Sequence, residues 1–161
     1  VSVAGAVGGS PLAVDADEND LGLMQHIPES DCSDGDGHAI ESLRPDVRRA
    51  WLAANPLPAG IAYYSLVTFP LKQDISNILH ISFGRLAKID PRNDSQVLIN
   101  DQLVPGSTFM GYLNADHWAV AVPIAEEHPF IGSVFVDQNT YPRRAIAEAV
   151  LRFIEEDLAA D

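Results

Sequence analysis

Across residues 93–122 the chain places an acid and a histidine on successive loops around one apolar strand. The acid, Asp94, lies in the tight polar turn Asn93-Asp94-Ser95. The run Thr108-Phe109-Met110-Gly111-Tyr112-Leu113 has the aromatic and apolar character of a strand. A short loop, Asn114-Ala115-Asp116, then delivers His117 just ahead of a new apolar run. In a parallel sheet the loops that follow successive strands gather at one edge, which is where such sheets build their sites. Acid first and histidine second is also the order of the last two members of one version of the Ser…Asp…His triad.

The rest of the chain supports a parallel sheet. Residues 1–7 are small and apolar with almost no polar relief, the pattern of a strand buried on both faces. Gly8-Gly9-Ser10-Pro11 ends it in a turn, where a serine serves as a turn or cap residue before it serves as a nucleophile. Residues 61–67 are β-branched and aromatic and form a second strand. Pro45 opens a helix that runs to Ala54, with Leu43, Val47, Ala50, Trp51 and Ala54 at helical spacing. Trp51 is assigned to packing. Asp74 caps a helix whose apolar face is Ile75, Ile78, Leu79, Phe83 and Leu86, and His80 lies beside that face as a partly exposed residue. Residues 143–158 are amphipathic, with Ile146, Ala149, Val150, Phe153 and Ile154 opposite Glu148, Arg152, Glu155 and Glu156. Alternating strands and helices imply an α/β fold, a mainly parallel sheet flanked by helices. Three strands are a thin sheet for a self-sufficient domain of that class.

Composition narrows the partners. A net charge of −13 over 161 residues repels phosphates, which argues against nucleic acid or an anionic membrane surface. No apolar run approaches the roughly 18 residues of a membrane-spanning helix. The single cysteine, Cys32, excludes an internal disulfide and leaves the compartment open. Any targeting segment would lie upstream of Val1. Residues 14–37 are acidic and irregular, with one short helix expected near 18–26. The cluster at residues 31–38 has the acidic look of a calcium loop but carries Cys32 at the first-ligand position and Leu43 at the twelfth, where glutamate is required. It reads as a solvated loop. Neither a metal nor a cofactor is expected.

Four segments, in order, resemble a known family. The strand at residues 1–7 followed by Gly9-Ser10-Pro11-Leu12-Ala13 is similar to a strand and Gly-Ser segment of bacterial α/β-hydrolases of the lipase and esterase type. Tyr63-Tyr64-Ser65 is similar to the end of their next strand. Asn93-Asp94-Ser95-Gln96-Val97 resembles their Asn-Asp-Gly-x-Val acid loop, with Ser95 in place of glycine. Asp116-His117 before an apolar run resembles their histidine loop. The resemblance covers the whole chain as the C-terminal half of such an enzyme: one partial domain over 1–161, with a loop-rich helical insertion at 14–60. The last strands, the acid and histidine loops and the C-terminal helix then occupy 61–161.

It implies Asp94 as the triad acid and His117 as the general base in hydrolysis of a small-molecule or lipid acyl ester. Asp116, next to His117, must then point elsewhere, and Asp90 and Asp101 are the nearby alternatives to Asp94. The nucleophile is not here: no Gly-x-Ser-x-Gly occurs, and Gly-Gly-Ser-Pro-Leu and Pro-Gly-Ser-Thr-Phe both fail the pattern. The expectation is a chain that is inactive alone and whose nucleophile half lies upstream. It would pair with that half or self-associate through the strand at residues 1–7. Two other readings stay open: a non-catalytic binding module with the same fold, and a small complete α/β domain with an acidic ligand or metal loop at 31–38.

Overall fold

Strands β1 (Ser2–Val3), β2 (Tyr64–Thr68) and β3 (Thr108–Leu113) form a parallel sheet in the order β1-β2-β3. The computed structural model describes residues 1–14, 38–121, 129–135, 137–138 and 141–160. The helix expected near 18–26, Cys32 and the acidic cluster up to residue 37 lie outside the described residues. All five residues of β2 are buried. A strand paired on both edges and covered on both faces reads as a continuous run without polar alternation, which is how residues 64–68 read. The helices are α1 (His38–Ser42), α2 (Pro45–Ala54), α3 (His80–Leu86), α4 (His117–Ala121), α5 (Pro129–Phe135) and α6 (Arg143–Ala160).

The first strand is shorter than its apolar run predicts. Only Ser2 and Val3 pair with Ser65 and Leu66, and the Ala4 amide adds one more bond to the Leu66 carbonyl. Ala4 then takes a φ of 52°, a left-handed conformation that no strand can continue through. The turn that follows brings Gly9 so close to α2 that a Cβ there would lie 2.6 Å from the Leu43 carbonyl oxygen, at a φ of 91°. Glycine is required at that point on both counts. Val1 and Val3 are left 64% and 42% exposed, not buried on both faces as the sequence suggests.

β3 carries a bulge. Ser65 faces Phe109 but Leu66 faces Gly111, so Met110 is an extra residue, and Gly111 sits at a φ of 138°. At its C-terminal end β2 is held by a side chain. Gln102 accepts the Thr68 amide (2.7 Å) and donates to the Thr68 carbonyl (2.8 Å), which satisfies both backbone groups in the interior.

Helix α2 has the predicted bounds, but its apolar stripe is not the covered one. Trp51 is 49% exposed, with the Arg48 guanidinium 4.9 Å from its ring, while Arg48 also donates to the Val7 carbonyl. The segment leading into α3, together with α3 itself, keeps its expected apolar face: Ile75, Leu79 and Leu86 are buried. It is built from two 3₁₀ turns, Lys72–Asp74 and Asn77–Leu79, running into α3, instead of one helix from Asp74. Helix α6 docks on the sheet through Tyr64, whose hydroxyl donates to Asp157 (2.9 Å) and whose ring meets Phe153 edge-on. Among the described residues no helix is long and apolar enough to cross a membrane.

Candidate functional site

Asp94 is placed by a loop that folds on its own side chain. Its Oδ1 accepts the backbone N–H groups of Gln96 (2.9 Å) and Val97 (2.7 Å), the turn chemistry that aspartate favours. The loop is closed by a bridge between Asn93 and Leu98, and Asn93, Asp94 and Ser95 are all fully buried. Oδ2 is directed the other way. It accepts the Thr68 hydroxyl (3.1 Å) and lies 2.8 Å from His117 Nδ1. Four donors therefore surround one carboxyl group that water does not reach, which satisfies both of its oxygens in the interior.

His117 arrives from the loop after β3, as the sequence order implies. Its backbone N–H donates to the Asp94 carbonyl (2.9 Å), so main chain and side chain both tie the two loops together. The His117 side chain is 29% exposed while that of Asp94 is fully buried. Among the described residues the ring makes no other hydrogen bond, and none of them partners Nε2. Because Oδ2 is a carboxylate acceptor, the Nδ1 facing it carries the proton and Nε2 is the basic nitrogen.

The neighbouring acids are all engaged elsewhere. Asp116 is fully buried but caps α4, accepting the N–H groups of Trp118 (3.1 Å) and Ala119 (2.8 Å), and its other oxygen accepts the Ser76 amide (2.9 Å). Asp90 faces Arg92 at 2.8 Å, and the guanidinium holds its carboxyl below the usual carboxylate range. Asp101 is half-buried beside Gly8, and burial pushes its carboxyl up. Of these four acids, only Asp94 reaches the histidine.

Ser95 is where the acid loop is strained. Its φ is 80°, and its buried hydroxyl has no partner among the described residues. A left-handed non-glycine residue costs roughly 1–2 kcal/mol, and a buried unpaired hydroxyl costs about as much again. Glycine's extra freedom in the unfolded chain returns about 0.4–1 kcal/mol of that. Ser95→Gly is therefore expected to raise stability by about 1–3 kcal/mol in a urea melt followed by circular dichroism. A loss of stability would mean that the Ser95 hydroxyl has a partner after all.

Ser10 is not near this pair in role. It is buried, its hydroxyl donates to the Gln96 carbonyl, and it caps the 3₁₀ turn Pro11–Ala13 through the Leu12 amide. His80 is partly exposed, and His38 pairs with Glu41 at the surface. No group of three or more metal-ligating side chains is found among the described residues. A cavity of about 150 Å³ lined by Asp74, Asn114, Ala115, Gln138 and Tyr141 does not include Asp94 or His117. No local pattern points to Thr68 or Gln102 as part of this cluster, because their contacts join positions 26 to 34 residues apart.

The chain is similar over 96% of its length to a metagenomic carboxyl esterase of known crystal structure, at 42% identity and a TM-score of 0.85. It spans 47% of that esterase chain. No family model and no curated protein matches it. The three-stranded parallel sheet and its helices match part of the esterase's α/β fold.

Proposed function

We propose that this chain, a relative of about half of a carboxyl esterase, supplies the base and the acid of a serine-hydrolase triad that cleaves carboxylic esters. The observation that carries the reading is the 2.8 Å bond between His117 Nδ1 and the fully buried Asp94, with no bond to the opposite ring nitrogen among the described residues. A serine hydroxyl within reach of Nε2 loses its proton to His117 as its oxygen attacks the ester carbonyl carbon. His117 then gives that proton to the departing alkoxide. In the second half-reaction it takes a proton from water as the water oxygen attacks the acyl carbon, and the acyl-serine bond then breaks, releasing the acid, as the proton returns to the serine. Asp94 holds the ring in the right tautomer and stabilises the imidazolium that forms twice per turnover.

The serine and the oxyanion hole belong, in this reading, to the part of the esterase that the chain does not match. The open side of β1, with Val1 and Val3 exposed, is an edge on which such a half could continue the sheet. Substrates would be small acyl esters or lipid esters.

Hydrolysis of p-nitrophenyl butyrate by the chain alone, and by the chain joined to a nucleophile-bearing half from a related esterase, tests the proposal. The chain alone should fall short of the joined protein by at least about 10⁶-fold, the cost of losing the nucleophile alone in a dissected serine protease. A fluorophosphonate should block the joined protein. Robust turnover by the chain alone, lost on Ser10→Ala, would overturn the assignment of the missing nucleophile.

A further inference from the structure

Two side chains share the oxygen of Asp94 that faces His117, and one of them has no part in the proposed proton transfers. The Thr68 hydroxyl lies 3.1 Å from Asp94 Oδ2 and 3.3 Å from Gln102 Oε1, with one proton to give. The surroundings settle which acceptor receives it. Gln102 Oε1 already accepts the Thr68 amide at 2.7 Å, and Gln102 Nε2 donates to the Thr68 carbonyl at 2.8 Å. That pair of bonds leaves the amide oxygen already supplied with a donor, so the hydroxyl would be only its second and more distant one. Asp94 Oδ2 carries negative charge, lies closer, and makes the stronger acceptor. Thr68, Asp94 and Gln102 are all fully buried, so water does not compete. Thr68 is also β-branched and sits at the end of a paired strand, which leaves its side chain little rotameric freedom.

We infer that Thr68, locked in place by Gln102, is the positioning residue of this site: its hydroxyl holds Asp94 Oδ2 in the line of His117 Nδ1 and shares the charge that His117 feels. The inference rests on the hydrolase reading for its purpose but not for its geometry. Oδ1 accepts two backbone N–H groups, and because a carboxylate is rigid the rotation about the Cβ–Cγ bond that places Oδ1 also places Oδ2. Thr68 and His117 hold that same rotation from the Oδ2 side, Thr68 from within the buried interior. Asp94 and His117 are the titratable groups that meet here. The Asp116 carboxylate, one residue from His117, is occupied by the amides of Ser76, Trp118 and Ala119.

Removing the hydroxyl without changing shape separates this role from simple packing. In Thr68→Val the Asp94 charge is no longer shared, so it stabilises a protonated His117 more strongly, and the His117 titration followed by NMR in the 161-residue chain should move to higher pH. Thr68→Ser keeps the hydroxyl and should leave the titration where it is in the unaltered chain. In the joined, ester-hydrolysing protein Thr68→Val should lower kcat by about 10- to 100-fold, the range expected for a hydrogen bond to a charged group, with little change in KM. Should the valine variant not fold, the unaltered chain still decides. The Thr68 hydroxyl proton should be visible by NMR in slow exchange, with a nuclear Overhauser contact to the His117 ring N–H, since both protons lie on one oxygen. An unmoved titration in Thr68→Val, an equal movement in Thr68→Ser, or a hydroxyl proton exchanging at the solvent rate would overturn the inference. Failure of the hydrolase reading shows differently, as ester turnover that survives His117→Ala, and leaves these NMR results unaffected.

Discussion

His117→Ala is expected to lower kcat for p-nitrophenyl butyrate by about 10⁶-fold in the joined, ester-hydrolysing protein, the scale on which a lone triad histidine acts in a dissected serine protease. The structure separates this loss from unfolding. Apart from the ring's bond to Asp94, the histidine loop is held by main chain: the His117 amide donates to the Asp94 carbonyl, and Asp116 caps α4 through the next two amides. What the substitution removes is one charge-assisted hydrogen bond to Asp94 and a side chain that is 29% exposed. Asp94 keeps its other three donors. The stability cost should be about 1–2 kcal/mol, within what a hydrogen bond to a charged group contributes. A histidine that merely ornamented the loop would show the same small stability loss and no effect on kcat. Turnover within tenfold of the unaltered protein, in a variant that melts normally, would remove His117 from the mechanism.

What the sequence made legible follows the range of each interaction. Helix α2 begins and ends where Pro45 and the helical spacing place it, and α6 runs two residues past its expected end, because caps and periodicity are local signals. The acid and histidine loops were legible for the same reason: a polar turn and a short loop flank one strand. The extent of β1 was not, since an apolar run does not reveal that Ala4 turns to a positive φ and that only two residues pair. Trp51 was misplaced because spacing tells which residues share a face, not what covers that face. The strain at Ser95 was foreshadowed by a serine where the resembling loops carry glycine. Gln102 closing the end of β2, and Thr68 reaching Asp94, join residues far apart in the chain, and no local pattern encodes them.

Asp94→Asn should reduce kcat by about 10⁴-fold while keeping the fold, because the change swaps the tautomer of His117 without removing a partner. The Asn carbonyl can take over from Oδ1 and accept the amides of Gln96 and Val97; the opposite orientation would set an NH₂ against two N–H donors. The NH₂ then occupies the place of Oδ2 and points at His117 Nδ1. That nitrogen must become the acceptor, so the ring proton moves to Nε2, the position that has to receive a proton from the serine. Thr68 can adapt, accepting from the new NH₂ and turning its own proton toward Gln102 Oε1, 3.3 Å away. No buried polar group is orphaned, and the stability loss should stay near 1 kcal/mol. Asp94→Ala is the contrasting case. It leaves two amides, a hydroxyl and a ring N–H facing a fully buried gap, at a cost of roughly 3–5 kcal/mol. The two variants should therefore diverge in a urea melt while both lose activity. If Asp94→Asn kept kcat within tenfold, the acid that orients His117 would have to be sought elsewhere. If it unfolded as readily as Asp94→Ala, the charge itself, and not the pattern of donors around it, would be what holds the two loops together.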